Sequence, residues 1–95
     1  MVHIQEQAQK WLLQGDLLMT NADAVLLESQ TLSIGSQLDV DFSHVKNIDT
    51  AALALMAAWV RRANAESCEI YFSNVSGSLK SLATLYGVHA FFNIQ

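Results

Sequence analysis

Apolar and polar residues alternate in several short stretches of the chain, a period typical of β-strands. In the clearest stretch, residues 37–43, one side is apolar and the other polar: Leu38, Val40 and Phe42 against Asp39, Asp41 and Ser43. Residues 11–18 and 68–73 follow the same alternation less strictly, and residues 91–94 predict a short terminal strand or an extended segment. The pattern therefore predicts four strands along the chain.

Between these stretches, apolar residues recur every three or four positions, which is typical of amphipathic helices. The strongest such helix opens at Asp49, where an N-cap or first-turn acid belongs, and its apolar face comprises Ala52, Leu55, Met56, Trp59, Val60 and Ala63. An earlier helix follows Thr20 or Asn21, either of which can cap it, and ends near Ser29. A last, short helix ends near Gly87.

Strands and helices thus alternate, which predicts an α/β domain whose parallel strands are joined by right-handed crossovers. The acidic side of residues 37–43 argues against a strand covered on both faces, since such strands are more uniformly apolar. We therefore expect helices mainly on one face of the sheet. The 95 residues suit a single domain that spans residues 1–95.

The charge of the chain disfavours nucleic acid as a partner. The formal net charge is -4 and the pI is about 5.0, and the one adjacent basic pair is Arg61–Arg62. The sequence from Met1 lacks the basic region and apolar run of a secretory signal, and no stretch reaches the ~20 apolar residues that span a bilayer. We expect a cytoplasmic protein that meets a membrane only through a partner.

Residues that could carry catalysis or bind a metal do not form a recognisable set. Asp39 and Asp41 share a strand face, but no histidine or third acid follows at a ligand spacing, so a solvated sheet face is the favoured interpretation. The glycines are too far apart for a phosphate-binding loop, and Cys68 lies in an apolar stretch that favours a buried, inert thiol. The histidines are scattered without a nucleophile motif: His3, His44 and His89. We expect no enzyme activity, no metal and no cofactor.

The most informative segment is the passage from the strand at residues 37–43 through a loop, residues 43–48, into the helix at Asp49-Thr50. The first backbone N–H groups of a helix lack intrahelical partners, and the helix dipole is positive there. A phosphate group is favoured at such a position, although the adjacent Asp49 carboxylate opposes it.

This segment resembles the STAS domain family, which includes bacterial anti-anti-sigma factors. The likeness rests on Asp49-Thr50-Ala51-Ala52-Leu53 at the helix start, on Gly15-Asp16-Leu17 against the family's Gly-Glu-Leu, and on Asn74-Val75-Ser76 at a turn. It extends from about Trp11 onward and implies a STAS-like α/β domain with a mixed, mostly parallel sheet. Two positions depart from the family pattern. Ala52 replaces a motif glycine, and Leu18 stands where many anti-anti-sigma factors carry an acid.

Within the family, the short chain and the threonine at the helix start resemble the MlaB subgroup, cytoplasmic subunits of Mla phospholipid-transport ABC systems. This resemblance implies a non-catalytic subunit that binds and supports the ATPase subunit of a system that maintains outer-membrane lipid asymmetry. Through the ATPase it would meet the inner-membrane permease indirectly. The alternative is an anti-anti-sigma-like regulator that is switched by phosphorylation of Thr50.

One side of the helix that opens at Asp49 is the predicted partner-binding surface. It comprises Thr50 and the residues at helical offsets of three, four, seven and eleven from it: Leu53, Ala54, Ala57 and Arg61. The family resemblance adds Asp49, the neighbour of Thr50, to the predicted partner-binding residues. Small side chains let another surface approach closely, while the leucine and arginine can anchor it. Three simpler interpretations remain open: that Thr50 only caps the helix, that Leu53 packs on a neighbouring loop, or that Arg61 only complements the helix dipole.

Overall fold

The computed structural model describes residues 3–95 and contains four strands and three helices. The strands are β1 (Ile4–Gln7), β2 (Lys10–Leu17), β3 (Gln37–Ile48) and β4 (Glu69–Ser73). The helices are α1 (Ala22–Gln30), α2 (Ala51–Ala65) and α3 (Gly77–Leu85). Residues 1 and 2, which belong to the segment expected to lack a secretory signal, lie outside the described residues. In the described part, none of the helices has the length and apolar character needed to cross a bilayer.

The strands form one sheet in the order β1-β2-β3-β4. The first pair is antiparallel and the other two are parallel, so the prediction of a mixed, mostly parallel sheet is confirmed. The predicted terminal strand is reduced to a bridge between Phe72 and Ile94. There the Phe72 N–H donates to the Asn93 carbonyl at 2.8 Å, so the chain end covers part of the outer edge of β4.

One face of the sheet is apolar and covered by helices. Trp11, Val40 and Phe72 are register partners across three strands and are all fully buried. The predicted inward face of α2 is confirmed, since every one of its six apolar residues is buried. The ring of Trp59 on α2 meets that of Trp11 edge-on at 5.8 Å, a favourable arrangement for aromatic pairs. Periodicity alone was enough to predict this side of the fold.

A polar network behind Trp59 fastens the end of α1 to α2. The Trp59 indole N–H donates to the Ser29 hydroxyl at 2.9 Å, and that hydroxyl donates to the Leu26 carbonyl at 2.6 Å. The Arg62 guanidinium donates to the carbonyls of Ser29 and Leu32 at 2.9 and 2.6 Å. Arg62 therefore neutralises the carbonyl end of α1, a neighbouring helix, through a side chain that is half-buried.

The opposite face of the sheet is open and polar, but its centre is not solvated. Asp41 is 5% exposed, so the prediction of a solvated carboxylate is wrong at this position. Its carboxylate lies 3.3 Å from the Lys10 ammonium and accepts hydrogen bonds from the Asn74 amide at 3.0 Å and the Ser43 N–H at 2.8 Å. Burial raises the pKa of Asp41, but the hydrogen bonds from Asn74, Ser43 and Lys10 outweigh it and lower the pKa to about 2.

Strand β3 is longer than predicted, because residues 43–48 continue the strand instead of forming a loop. They pair with the second half of β2, where His44 faces Gln14 and Ile48 faces Leu17. The register shifts twice in this pairing, between Leu12 and Gln14 and between Gly15 and Leu17, and at each shift β3 advances three residues while β2 advances two. The alternation of β3 is lost there, which hid the extension from pattern analysis.

Strand β1 was not predicted, since Ile4 is its one buried side chain. It pairs with β2, where Ile4 faces Leu13. The Glu28 carboxylate on α1 accepts the backbone N–H groups of His3 and Ile4 at 3.0 and 2.7 Å. Burial raises the pKa of Glu28, but these hydrogen bonds outweigh it, so that the pKa lies below its ordinary value. The long-range carboxylate contact, invisible in the sequence pattern, fixes β1.

Candidate functional site

Asp49 organises the start of α2. One carboxylate oxygen accepts the Ala51 N–H at 2.8 Å, which satisfies one of the free amides of the first turn. The other accepts the Met19 N–H at 2.9 Å, in the loop between β2 and α1. The prediction that Asp49 helps to open the helix is confirmed, and the same side chain also ties a neighbouring loop to that helix.

Thr50 occupies the cap position itself, with helical backbone angles of φ -62 and ψ -19. Its side chain makes no capping hydrogen bond within residues 3–95, and the residue is exposed. The interpretation of Thr50 as a mere helix cap is therefore wrong, since Asp49 performs that role. The hydroxyl faces solvent at the positive end of the helix dipole.

The predicted partner-binding side of α2 needs one correction. Leu53 is only 8% exposed and belongs to the core, so it cannot anchor a partner. It lies three and seven residues before Met56 and Val60, which are both buried, and it therefore continues their row on the helix. The apolar arc of α2 is wider by one row than the sequence pattern indicated.

The remaining predicted positions form a continuous outer strip, Thr50, Ala54, Ala57 and Arg61. Thr50, Ala54 and Arg61 are exposed, and Ala57 is half-buried against the core. Successive members are separated by four, three and four residues, so they lie along one line of the helix surface. The strip is uncharged until Arg61 at its far end.

A groove of about 290 Å³, here called the α1–α2 groove, adjoins the outer strip and shares Ala54 with it. It runs between the first turns of the two helices and is lined by Met19, Ala22, Asp23, Leu26, Ala51, Ala54 and Leu55. Met19 is 75% exposed. The sequence prediction did not include this second wall, although the apolar pair Leu18-Met19 just beyond the end of β2 was an available signal.

A second cavity, of about 310 Å³, lies where the end of β3 faces the start of α3. Lys46 and Asn47 line one side, and Ser76 and Ser78 line the other. The Ser76 hydroxyl accepts the Leu79 N–H at 3.2 Å and caps α3. The predicted turn at residues 74–76 thus serves to start that helix.

Other candidate groups are structural or dispersed. Cys68 is buried, as predicted, and burial raises the pKa of its thiol, so the reactive thiolate is disfavoured. Throughout residues 3–95, histidine, cysteine and acidic side chains nowhere gather in groups of three or more that could hold a metal ion. The outer strip and the α1–α2 groove together form the candidate partner-binding surface.

Comparison with known proteins points to one family. A family model described as "MlaB, STAS domain" matches residues 1–94. The structure is similar to the anti-sigma factor antagonist SpoIIAA in its unphosphorylated form, with a TM-score of 0.74 and 12% identity over 97% of this chain and 85% of that chain. It is also similar to a sulfate transporter family protein from Wolinella succinogenes, with a TM-score of 0.71 and 14% identity over 90% of this chain and 74% of that chain. Among curated proteins, no match to the sequence was found.

Proposed function

Because the chain belongs to the STAS domain family of the MlaB type, we propose that it is a non-catalytic subunit that binds the ATPase of a phospholipid-transporting ABC system. The family match over residues 1–94 is the observation that carries the proposal. The structural similarity to SpoIIAA, at 12% identity, supports the fold alone. The outer strip of α2 supplies a surface through which the protein can bind the ATPase.

The outer strip has the character of a contact surface. Ala54 and Ala57 allow a partner's backbone to approach the helix, and Thr50 offers a hydroxyl that is not engaged in helix capping. Arg61 is exposed and stands eleven residues beyond Thr50, roughly 16 Å along the helix axis. An arginine at the edge of a small-residue surface is well suited to pair with a carboxylate on the partner.

Binding would act on the ATPase through its conformational equilibrium. A subunit that binds one arrangement of its partner more tightly than another increases the population of that arrangement. Here the favoured arrangement would be the assembled, active ATPase. The domain would then reach the cytoplasmic side of the inner membrane, and the permease, through the ATPase.

A matched pair of alanine substitutions on α2 tests this surface. Ala54→Glu places a charge in the middle of the outer strip, whereas Ala65→Glu makes the same change at the exposed last residue of the helix. We expect Ala54→Glu to abolish co-purification with the ATPase subunit and Ala65→Glu to retain it, while cooperative thermal unfolding shows that both variants remain folded. Retained binding of Ala54→Glu would show that the outer strip is not the interface.

A second function is favoured by the exposed Thr50 hydroxyl: a switch operated by phosphorylation. A phosphate there would add negative charge beside Asp49, next to the uncharged part of the outer strip, and would eject a bound partner by repulsion and desolvation. Intact-mass measurement of the protein from cells, together with binding by Thr50→Glu and its uncharged counterpart Thr50→Gln, tests this. An unmodified mass and equal binding by the two variants would contradict the switch.

A further inference from the structure

Building on the proposed function, we infer that the α1–α2 groove receives an apolar side chain from an amphipathic segment of the ATPase subunit, and that Asp23 pairs with a lysine or arginine beside that side chain. The interface would then extend from α2 onto α1 and the loop before it. The partner segment would be recognised by an apolar residue next to a basic one.

The lining of the groove indicates the apolar part of this occupant. Apart from Asp23, its lining residues are alanines, two leucines and Met19. A polar side chain placed among them would lose hydrogen bonds to water without replacement. Met19 is largely exposed at the groove, and its unbranched thioether adapts to the shape of a contacting group. The Asp49 carboxylate accepts the Met19 backbone N–H, which positions the Met19 side chain at the groove.

The charge around the groove indicates the basic part. Asp23 is exposed and is the one charged residue that lines the groove. The sequence contains no lysine or arginine between Lys10 and Lys46, so neither α1 nor the loop before it supplies a cation to Asp23. Lys46 itself lines the separate cavity against α3. A basic residue on the partner is the electrostatic complement of such a surface.

The surface of α1 beyond the groove indicates that the occupant continues as an amphipathic segment. Leu27 is 64% exposed and lies four residues after Asp23, on the same side of α1. Along α1 the partner would therefore contact first the apolar lining of the groove, then the acidic Asp23, and then the apolar Leu27. A helix with an apolar stripe interrupted by a lysine or arginine matches this order.

Binding of the intact domain to the purified ATPase subunit of the same organism's phospholipid transporter tests the inference. Asp23→Lys is compared with Glu6→Lys, which changes net charge equally at an exposed position on β1. At low salt we expect Asp23→Lys to weaken Kd about tenfold and Glu6→Lys less than about twofold, with the gap closing at high salt. Met19→Gln should weaken Kd equally at both salt concentrations. Asp23→Asn, which cannot repel a cation, should fall between wild type and Asp23→Lys.

The results distinguish failure of the groove contact from failure of the proposed function. If wild type binds but Asp23→Lys and Glu6→Lys behave alike, the groove contact is overturned and the proposed function stands. If wild type does not bind the ATPase subunit, the proposed function fails and the groove contact fails with it. Restored binding of Asp23→Lys by a lysine-to-glutamate or arginine-to-glutamate change in the ATPase would identify the paired residue.

Discussion

On the helix-covered face of the sheet, Phe72 lies at the centre of a row of buried rings, with Phe42 and Phe92 edge-on at 6.0 and 5.9 Å. On the open face, one strand away, Asp41 is buried almost as deeply but is surrounded by donors. The first face is stabilised by contact area, which does not depend on pH. The second depends on the charge of one carboxylate. The two faces of the same strands should therefore respond differently to truncation and to acid.

The largest effect is expected from Phe72→Ala, which removes the central ring of the covered face. Deleting a fully buried phenylalanine costs about 3–5 kcal/mol through lost transfer energy and the cavity that remains. This is a large part of the ~5–15 kcal/mol that stabilises a typical domain. Urea unfolding measures the loss, and Phe91→Ala is the control: its ring is 51% exposed and its centroid lies 5.6 Å from that of Phe92, so the expected cost is about 1 kcal/mol.

Asp41→Ala should have the next largest effect, because it leaves the Asn74 amide and the Ser43 N–H without their acceptor. We expect a loss of about 2–3 kcal/mol in the free energy of unfolding. Asp39→Ala is the matched control on the same face, since Asp39 is half-buried and accepts one side-chain hydrogen bond, from Ser73. If Asp41→Ala and Asp39→Ala lowered the free energy of unfolding equally, the hydrogen bonds around Asp41 would contribute no more to stability than those of Asp39.

The smallest of the three effects is the response to acid. The folded-state pKa of Asp41 is about 2, below its ordinary value of 3.8, so its contribution is present above pH 3.8 and is lost as the pH falls through 2. This difference corresponds to about 2 kcal/mol. Unfolding of wild type and Asp41→Asn, measured from pH 5 to pH 2, should converge toward low pH. If the free energies of unfolding of the two proteins instead changed in parallel with pH, a lowered pKa of Asp41 would be contradicted. Glu28 is present in both proteins, so its contribution cancels when the two free energies are subtracted.

The sequence pattern predicted the covered face well and the open face poorly, for a physical reason. Burial of a helix or strand face against a core imposes a period, and the period of α2 identified six of its seven buried residues. The burial of Asp41 is imposed by partners far away in the chain, of which Asn74 is 33 residues distant. Such pairings have no period. The same reason explains why β1, which is fixed by Glu28, was not predicted.

The candidate site divides in a similar way. Residue type and helical spacing were enough to place Thr50, Ala54 and Arg61 on the exposed side of α2. They misplaced Leu53, because the boundary between buried and exposed rows depends on what packs beside the helix. They did not predict the second wall of the groove, since Met19 reaches it through a loop that the Asp49 carboxylate helps to hold.

The two hydrogen bonds of Asp49 have a consequence for the kinetics of association. By holding Met19 and the first turn of α2 with one carboxylate, the protein keeps the mouth of the groove in a single arrangement before any encounter. Ordering a flexible loop on binding carries an entropic cost that such preorganisation avoids. Asp49→Ala should loosen this loop at Met19, although Asn21 still holds Leu18, so that a partner which uses the groove would associate more slowly.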